Sequence, residues 1–188
     1  MKDGSILDIG CMSGLNALIS KYRKYFLGAE IKGEYLGVDI LEYPKNYLAP
    51  IVIDDVQTFC TDQTFDLILA LHVMEHIDLA SWDRVILKLQ QAVKVGGYLV
   101  IDVPYKEKDT NPYIDSNDHV VFDIDDSLIR GFLPNAEIFK YRRKYRHFRK
   151  EGESLVWAIC RSFWRTLTKH EYRFRLKDNI VAVWKNQE

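Results

Sequence analysis

Ser5-Ile6-Leu7-Asp8-Ile9-Gly10-Cys11-Met12-Ser13-Gly14 decides the fold. Its first six residues are a short apolar run closed by turn chemistry. From residue 14 to residue 27 the apolar spacing becomes helical, with Leu15, Leu18, Ile19, Tyr22, Tyr25 and Phe26 on one face. Ser13 can cap the start of that helix and Gly28 can end it. A strand that turns directly into a helix predicts the first unit of an α/β sheet, with its loop at the carboxyl edge where such sheets bind ligands. The loop is not a dinucleotide fingerprint, because Met12 and Leu15 stand where two of the glycines are needed. It is not a P-loop either, since no Lys-Ser/Thr pair follows the turn.

Outward from this unit, strands and helices keep alternating. Residues 35–40, 49–53 and 65–71 read as strands, the last almost purely apolar, as a strand covered on both faces should be. Residues 81–95 are helical, with Trp82, Val85, Ile86, Leu89, Ala92 and Val93 on one face. Gly96-Gly97 should stop that helix before a fifth strand over 98–103. A loop over 105–117, a short helix over 126–133 and an amphipathic, aromatic helix over 153–169 follow. The β-rich stretches 136–141 and 179–184 should pair as the last two strands. The expected architecture is one α/β domain over 1–188: a three-layer sandwich with a mostly parallel seven-stranded sheet and a terminal antiparallel hairpin.

The chain has 188 residues, 47% of them hydrophobic and 13% aromatic, which excludes intrinsic disorder. Mean hydropathy is −0.21, and no apolar run approaches the roughly 18 residues of a membrane helix. The start is too short and too acidic for a secretory signal. Cys11, Cys60 and Cys160 are odd in number and widely spaced, so a disulfide scaffold is not expected and a reducing cytoplasm is. Residues 140–177 hold thirteen basic against three acidic side chains, a net +10, leaving −11 on the remainder of a chain of net charge −1. That asymmetry suggests an anionic partner or charged self-association, as in a homodimer, against the plainer reading of a solvated basic face.

Five segments occur in order: Asp8 to Gly14, Gly37-Val38-Asp39-Ile40, Asp55-Val56, Phe65 to Ile77 with His72-Val73-Met74-Glu75-His76 inside it, and Lys94 to Ile101. The series resembles the class I S-adenosylmethionine-dependent methyltransferases, in the branch related to ubiquinone-type O-methyltransferases. The match covers residues 5–104, the cofactor-binding core, and leaves 105–188 as the substrate side, with a looser echo in His119-Val120-Val121-Phe122. The resemblance implies a Rossmann-like fold and S-adenosylmethionine as cofactor. Asp8 and the backbone of Gly10, Cys11, Met12 and Gly14 would hold its methionine part. Asp39, followed by Ile40, would take both ribose hydroxyls; Asp55, or Asp54 in a shifted register, would accept from the adenine amino group beside Val56. Leu71 and His72 would line the sulfonium. Met12 departs from the family's middle glycine. Relatives also carry helices before the first strand that cover the site; here the cover is expected from the 105–117 loop, the 153–169 helix or a partner subunit.

Transfer from a sulfonium is an in-line displacement, to which positioning contributes much of the rate. A hydroxyl acceptor also gains from a base near neutral pH, and His76 and His119 are the candidates. For His76 the weightier reading is a capping histidine packed beneath the sheet. The His-x-x-Glu-His spacing suggests metal ligation, but it starts at a strand end rather than on a helix, which argues against a peptidase. Some relatives hold a divalent cation through Glu-x-x-Glu-His and a later residue. Here His72 replaces the first Glu and His119 could be the later ligand, so a divalent metal is the less favoured reading. The leading expectation is methylation of oxygen on a small molecule or glycan. A cofactor-free Rossmann-like subunit and a nucleic-acid-binding or nucleic-acid-methylating protein, using aromatics among the basic residues, are the competing readings.

Overall fold

The computed structural model describes residues 4–11, 34–42, 50–106, 119–144 and 176–187, with the backbone alone for 141–144 and 176–178. Its strands are β1 (Ile6–Ile9), β2 (Tyr35–Asp39), β3 (Ile51–Ile53), β4 (Phe65–Leu71), β5 (Val93–Pro104), β6 (Glu137–Lys144) and β7 (Leu176–Lys185). Helices α1 (Trp82–Gln91) and α2 (Asp126–Phe132) are the longer helical segments among the described residues. Met12, Gly14, the helix expected over 14–27, the helix expected over 153–169 and most of the basic segment lie outside the described residues. Among the described residues no helix is long and apolar enough to cross a membrane.

One sheet holds all seven strands in the order β3-β2-β1-β4-β5-β7-β6. β1 pairs parallel with β2 and β4, β2 with β3, and β4 with β5. β7 runs antiparallel to both β5 and β6. The expected terminal hairpin is therefore present, folded so that β7 lies inside and β6 forms the edge. From β1 the chain first builds outward to β3, then returns to β4 on the other side of β1. The crevice beyond the carboxyl ends of β1 and β4 lies at that reversal of strand order, the place where α/β sheets take ligands.

The core lies where α1 packs against the sheet. Leu7, Ile68, Leu99 and Ile180 from four strands are fully buried, as are Trp82 and Val85 from the helix. Trp82 does more than fill space. Its indole Nε1 donates to the carbonyls of Met74 and Ile77, each at 3.0 Å, and so ties down the segment that follows β4. α2 begins with a side-chain cap: Asp125 Oδ1 accepts from the N–H groups of Ser127 and Leu128 at 3.0 and 3.1 Å.

The structure corrects the helix expected over 81–95. α1 ends at Gln91, because the Ala92 N–H closes onto the Lys88 and Leu89 carbonyls while its own carbonyl accepts from Phe65 N at 2.8 Å. Val93 is then already in register with Phe65. Gly96-Gly97 does not stop the helix; it lies inside β5, where the register jumps from Phe65–Val93 to Leu67–Tyr98. A side chain on Gly97 would come within 2.9 Å of the carbonyl oxygens of Asp66 and Lys94. Periodicity could not separate this irregular strand start from the last turn of a helix.

Candidate active site

The carboxyl ends of β3, β2, β1 and β4 are neighbours, and each delivers candidate residues to the same sheet edge. β1 ends at Asp8, Gly10 and Cys11. Asp8 is fully buried, with its Oδ2 accepting from the Tyr35 hydroxyl at 2.5 Å. Burial pushes the Tyr35 phenol far above its ordinary pKa, and the Asp8 carboxylate reinforces the shift, so Tyr35 remains a donor. Gly10 has φ +67°, and a side chain there would lie 2.3 Å from Val73 Cγ2. Only glycine serves this turn. The N–H groups of Gly10 and Cys11 both point to the Val38 carbonyl, at 2.8 and 3.4 Å, which lashes the end of β1 to β2.

β2 ends at Asp39, itself buried, whose Oδ1 accepts from Leu41 N at 2.9 Å. Its carbonyl accepts from Asp54 N at 2.9 Å, joining this end to the exit of β3. Ile40, next along, is exposed. Asp55 Oδ1 accepts from Gln57 N at 2.8 Å, and Asp54 Oδ1 from the Thr58 hydroxyl at 2.9 Å. Val56 turns into the core. Asp8, Gly10, Cys11, Asp39, Ile40, Asp55, Val56, Leu71 and His72 thus share one edge.

His72, just past Leu71 and the end of β4, has φ 56°, a left-handed backbone rare for this residue type. Its ring is held from both sides. Nδ1 lies 3.0 Å from Glu75 Oε1, and Nε2 lies 3.0 Å from the Asn179 amide nitrogen. The same amide nitrogen donates to Asp102 Oδ1 at 3.1 Å. A carboxylate accepts, so Nδ1–H donates to Glu75, and Nε2 also lies 3.8 Å from Asp102 Oδ2, which sets the ring between two carboxylates.

Glu75 is fully buried, with its Oε2 making no hydrogen bond among the described residues. Its carbonyl accepts from Val120 N and Val121 N at 2.9 and 3.1 Å, which brings His119 against His76. The two imidazoles meet edge to face with centroids 4.6 Å apart. His76 is exposed and belongs to the single turn Met74–His76, not packed beneath the sheet. One ligand atom each from Glu75, His76 and His119 lie within 4.8 Å of one another, a grouping that could hold a metal ion. Tyr35, Asp102 and Asn179 were missing from the sequence-derived set. Asn179 opens an apolar strand, a faint signal, but its partners lie 107 and 77 residues away.

A methyltransferase-domain family model matches residues 1–158. The chain belongs to that family. Solved structures share its fold. A SAM-dependent methyltransferase from Archaeoglobus fulgidus is 18% identical with TM-score 0.61, over 96% of this chain and 86% of that one. Coclaurine N-methyltransferase bound to N-methylheliamine and SAH is 14% identical with TM-score 0.60, over 98% and 66%. The N-methyltransferase NodS from Bradyrhizobium japonicum in complex with S-adenosyl-L-homocysteine is 16% identical with TM-score 0.56, over 99% and 80%. No curated protein matches the sequence. For a methyltransferase, the crevice at the β1/β4 reversal is the candidate cofactor site, and the His72–His76 segment with His119 forms its neighbouring wall.

Proposed function

We propose that this methyltransferase transfers the methyl group of S-adenosylmethionine to an oxygen of a small molecule or glycan, along the lines of the ubiquinone-type branch. The observation that supports the reading is the placement of Asp8, Asp39 and Asp55 in or just past the adjacent strands β1, β2 and β3, with His76, against His119, in the turn that follows β4. Asp8 and the Gly10 turn hold the methionine part, with Met12 and Gly14 completing that loop. Asp39 takes the ribose hydroxyls. Asp55, whose neighbour Val56 anchors the turn in the core, takes the adenine amino group, with Asp54 as the alternative in a shifted register. Leu71 and His72 flank the sulfonium. His72 is a positioning group, because both ring nitrogens are engaged; His119 or His76 takes the acceptor proton. A histidine base favours an O–H acceptor, which must lose a proton as it is methylated. Nitrogen is the competing acceptor, being the atom named for two of the similar structures.

A second reading adds a divalent cation at Glu75, His76 and His119, on the strength of their ligand atoms lying within 4.8 Å of one another and of the buried Glu75 Oε2, which makes no hydrogen bond among the described residues. Such an ion, when bound, would polarise the acceptor oxygen. The protein is further proposed to be cytoplasmic, to self-associate as a homodimer, and to meet an anionic neighbour through residues 140–177. A mass-spectrometric screen for products 14 Da heavier, run with S-adenosylmethionine over hydroxyl- and amine-bearing acceptors, tests the reaction. Methylation of amines alone would overturn the oxygen assignment.

A further inference from the structure

The turn after β3 is gripped from behind by a residue of α1. The Asp55 carbonyl accepts from Thr58 N at 2.9 Å and Phe59 N at 2.7 Å, so residues 55–59 form one isolated turn. An isolated turn leaves its later carbonyls with no following turn to donate to them. Here the carbonyls of Val56, Gln57 and Phe59 converge on Nζ of Lys88 at 3.0, 2.9 and 2.8 Å. An ammonium has three N–H donors, so all three are engaged. Lys88 projects from the flank of a helix whose buried face is Trp82, Val85, Ile86 and Leu89. Val56 and Phe59 are buried as well, so the turn is fixed by both its side chains and its backbone.

We infer that Lys88 is a positioning residue for the cofactor: by fixing the Asp55–Phe59 turn it sets affinity for the adenine half of S-adenosylmethionine. The inference rests on the reading of Asp55 and Val56 as the adenine subsite. The three carbonyls face Lys88, while the Asp55 carboxylate closes the same turn by accepting from Gln57 N at 2.8 Å and Gln57 Nε2 at 3.3 Å. Without the ammonium, those carbonyls turn toward water and the turn loosens. A misplaced acceptor at the adenine amino group forfeits about one hydrogen bond, or about 10-fold in affinity.

The test compares wild type, Lys88→Gln and Lys88→Met by calorimetry with S-adenosylhomocysteine and with adenosine, alongside steady-state kinetics. Kd for both ligands should rise at least about 10-fold in Lys88→Met, by a similar factor for each. Lys88→Gln, which keeps two donors, should fall between. KM for S-adenosylmethionine should rise with Kd while kcat at saturation changes far less. An unchanged Kd in a folded Lys88→Met protein would overturn the inference and leave Lys88 a stabilising residue only. If Lys88→Met does not fold, a Lys88→Gln Kd within about twofold of wild type overturns it equally. Failure of wild type to bind S-adenosylhomocysteine would instead overturn the cofactor reading itself.

Discussion

Asp39 combines burial with a place at the end of β2, which makes it the most telling single side chain of the site. Asp39→Ala removes the acceptor proposed for the two ribose hydroxyls and should weaken cofactor binding by about 1–3 kcal/mol. Calorimetry on the folded variant checks this, and an unchanged Kd would place the ribose elsewhere. Glu75 is the residue that would distinguish a cation from a bare histidine pair. Glu75→Gln keeps an oxygen to accept from His72 Nδ1–H but neutralises the ligand group. With Co²⁺ as probe, the visible absorption of the bound ion should appear in wild type and its affinity should fall at least about 10-fold in the variant. No spectrum in wild type would remove the cation from the account. At this scale the family resemblance marked Asp8, Asp39 and Asp55, which lie within β1, at the end of β2 and just past β3. It was silent on Tyr35, Lys88 and Asn179, whose partners come from other elements and follow no local period.

Between elements, one clamp joins the starts of β1, β4 and β5. Asp66 Oδ2 accepts from Ser5 N at 2.7 Å, Ser5 Oγ at 3.0 Å and Lys94 Nζ at 2.9 Å. The Lys94 hydrogen bond first, then the Ser5 backbone N–H, lower the Asp66 pKa from 3.8 to about 2. A depressed carboxylate pKa stabilises the fold above the unfolded value and loses that contribution on acidification. The clamp should therefore be fully present above about pH 4 and fade between about pH 4 and 2. Asp66→Asn should cost about 1 kcal/mol at neutral pH, discounted for its partial exposure. Its denaturation midpoint should converge on wild type near pH 2. A difference that persists there would show that shape, not charge, holds the clamp. Strand and helix existence was legible from apolar spacing, and boundaries were not. The end of α1 depends on β4 capturing the Ala92 carbonyl, a contact no window of sequence contains.

Across the whole molecule, the alternation of strands and helices and the β-rich carboxyl-terminal pair foretold a mostly parallel sheet with one reversed strand. What alternation could not supply is the order of strands, which depends on where each crossover lands. The basic, aromatic segment 140–177 is proposed to take part in self-association. Trp157→Ala with Trp164→Ala should lower dimer mass by light scattering or reduce turnover, with the sheet still folded by circular dichroism. A monomer before and after, with unchanged turnover, would remove that segment from the site and from self-association. The central claim is that the edge formed by β1, β2, β3 and β4 binds S-adenosylmethionine, and calorimetry tests it most directly. One cofactor per chain should bind, and should bind more weakly in Asp39→Ala; no binding at millimolar S-adenosylmethionine or S-adenosylhomocysteine would contradict the account.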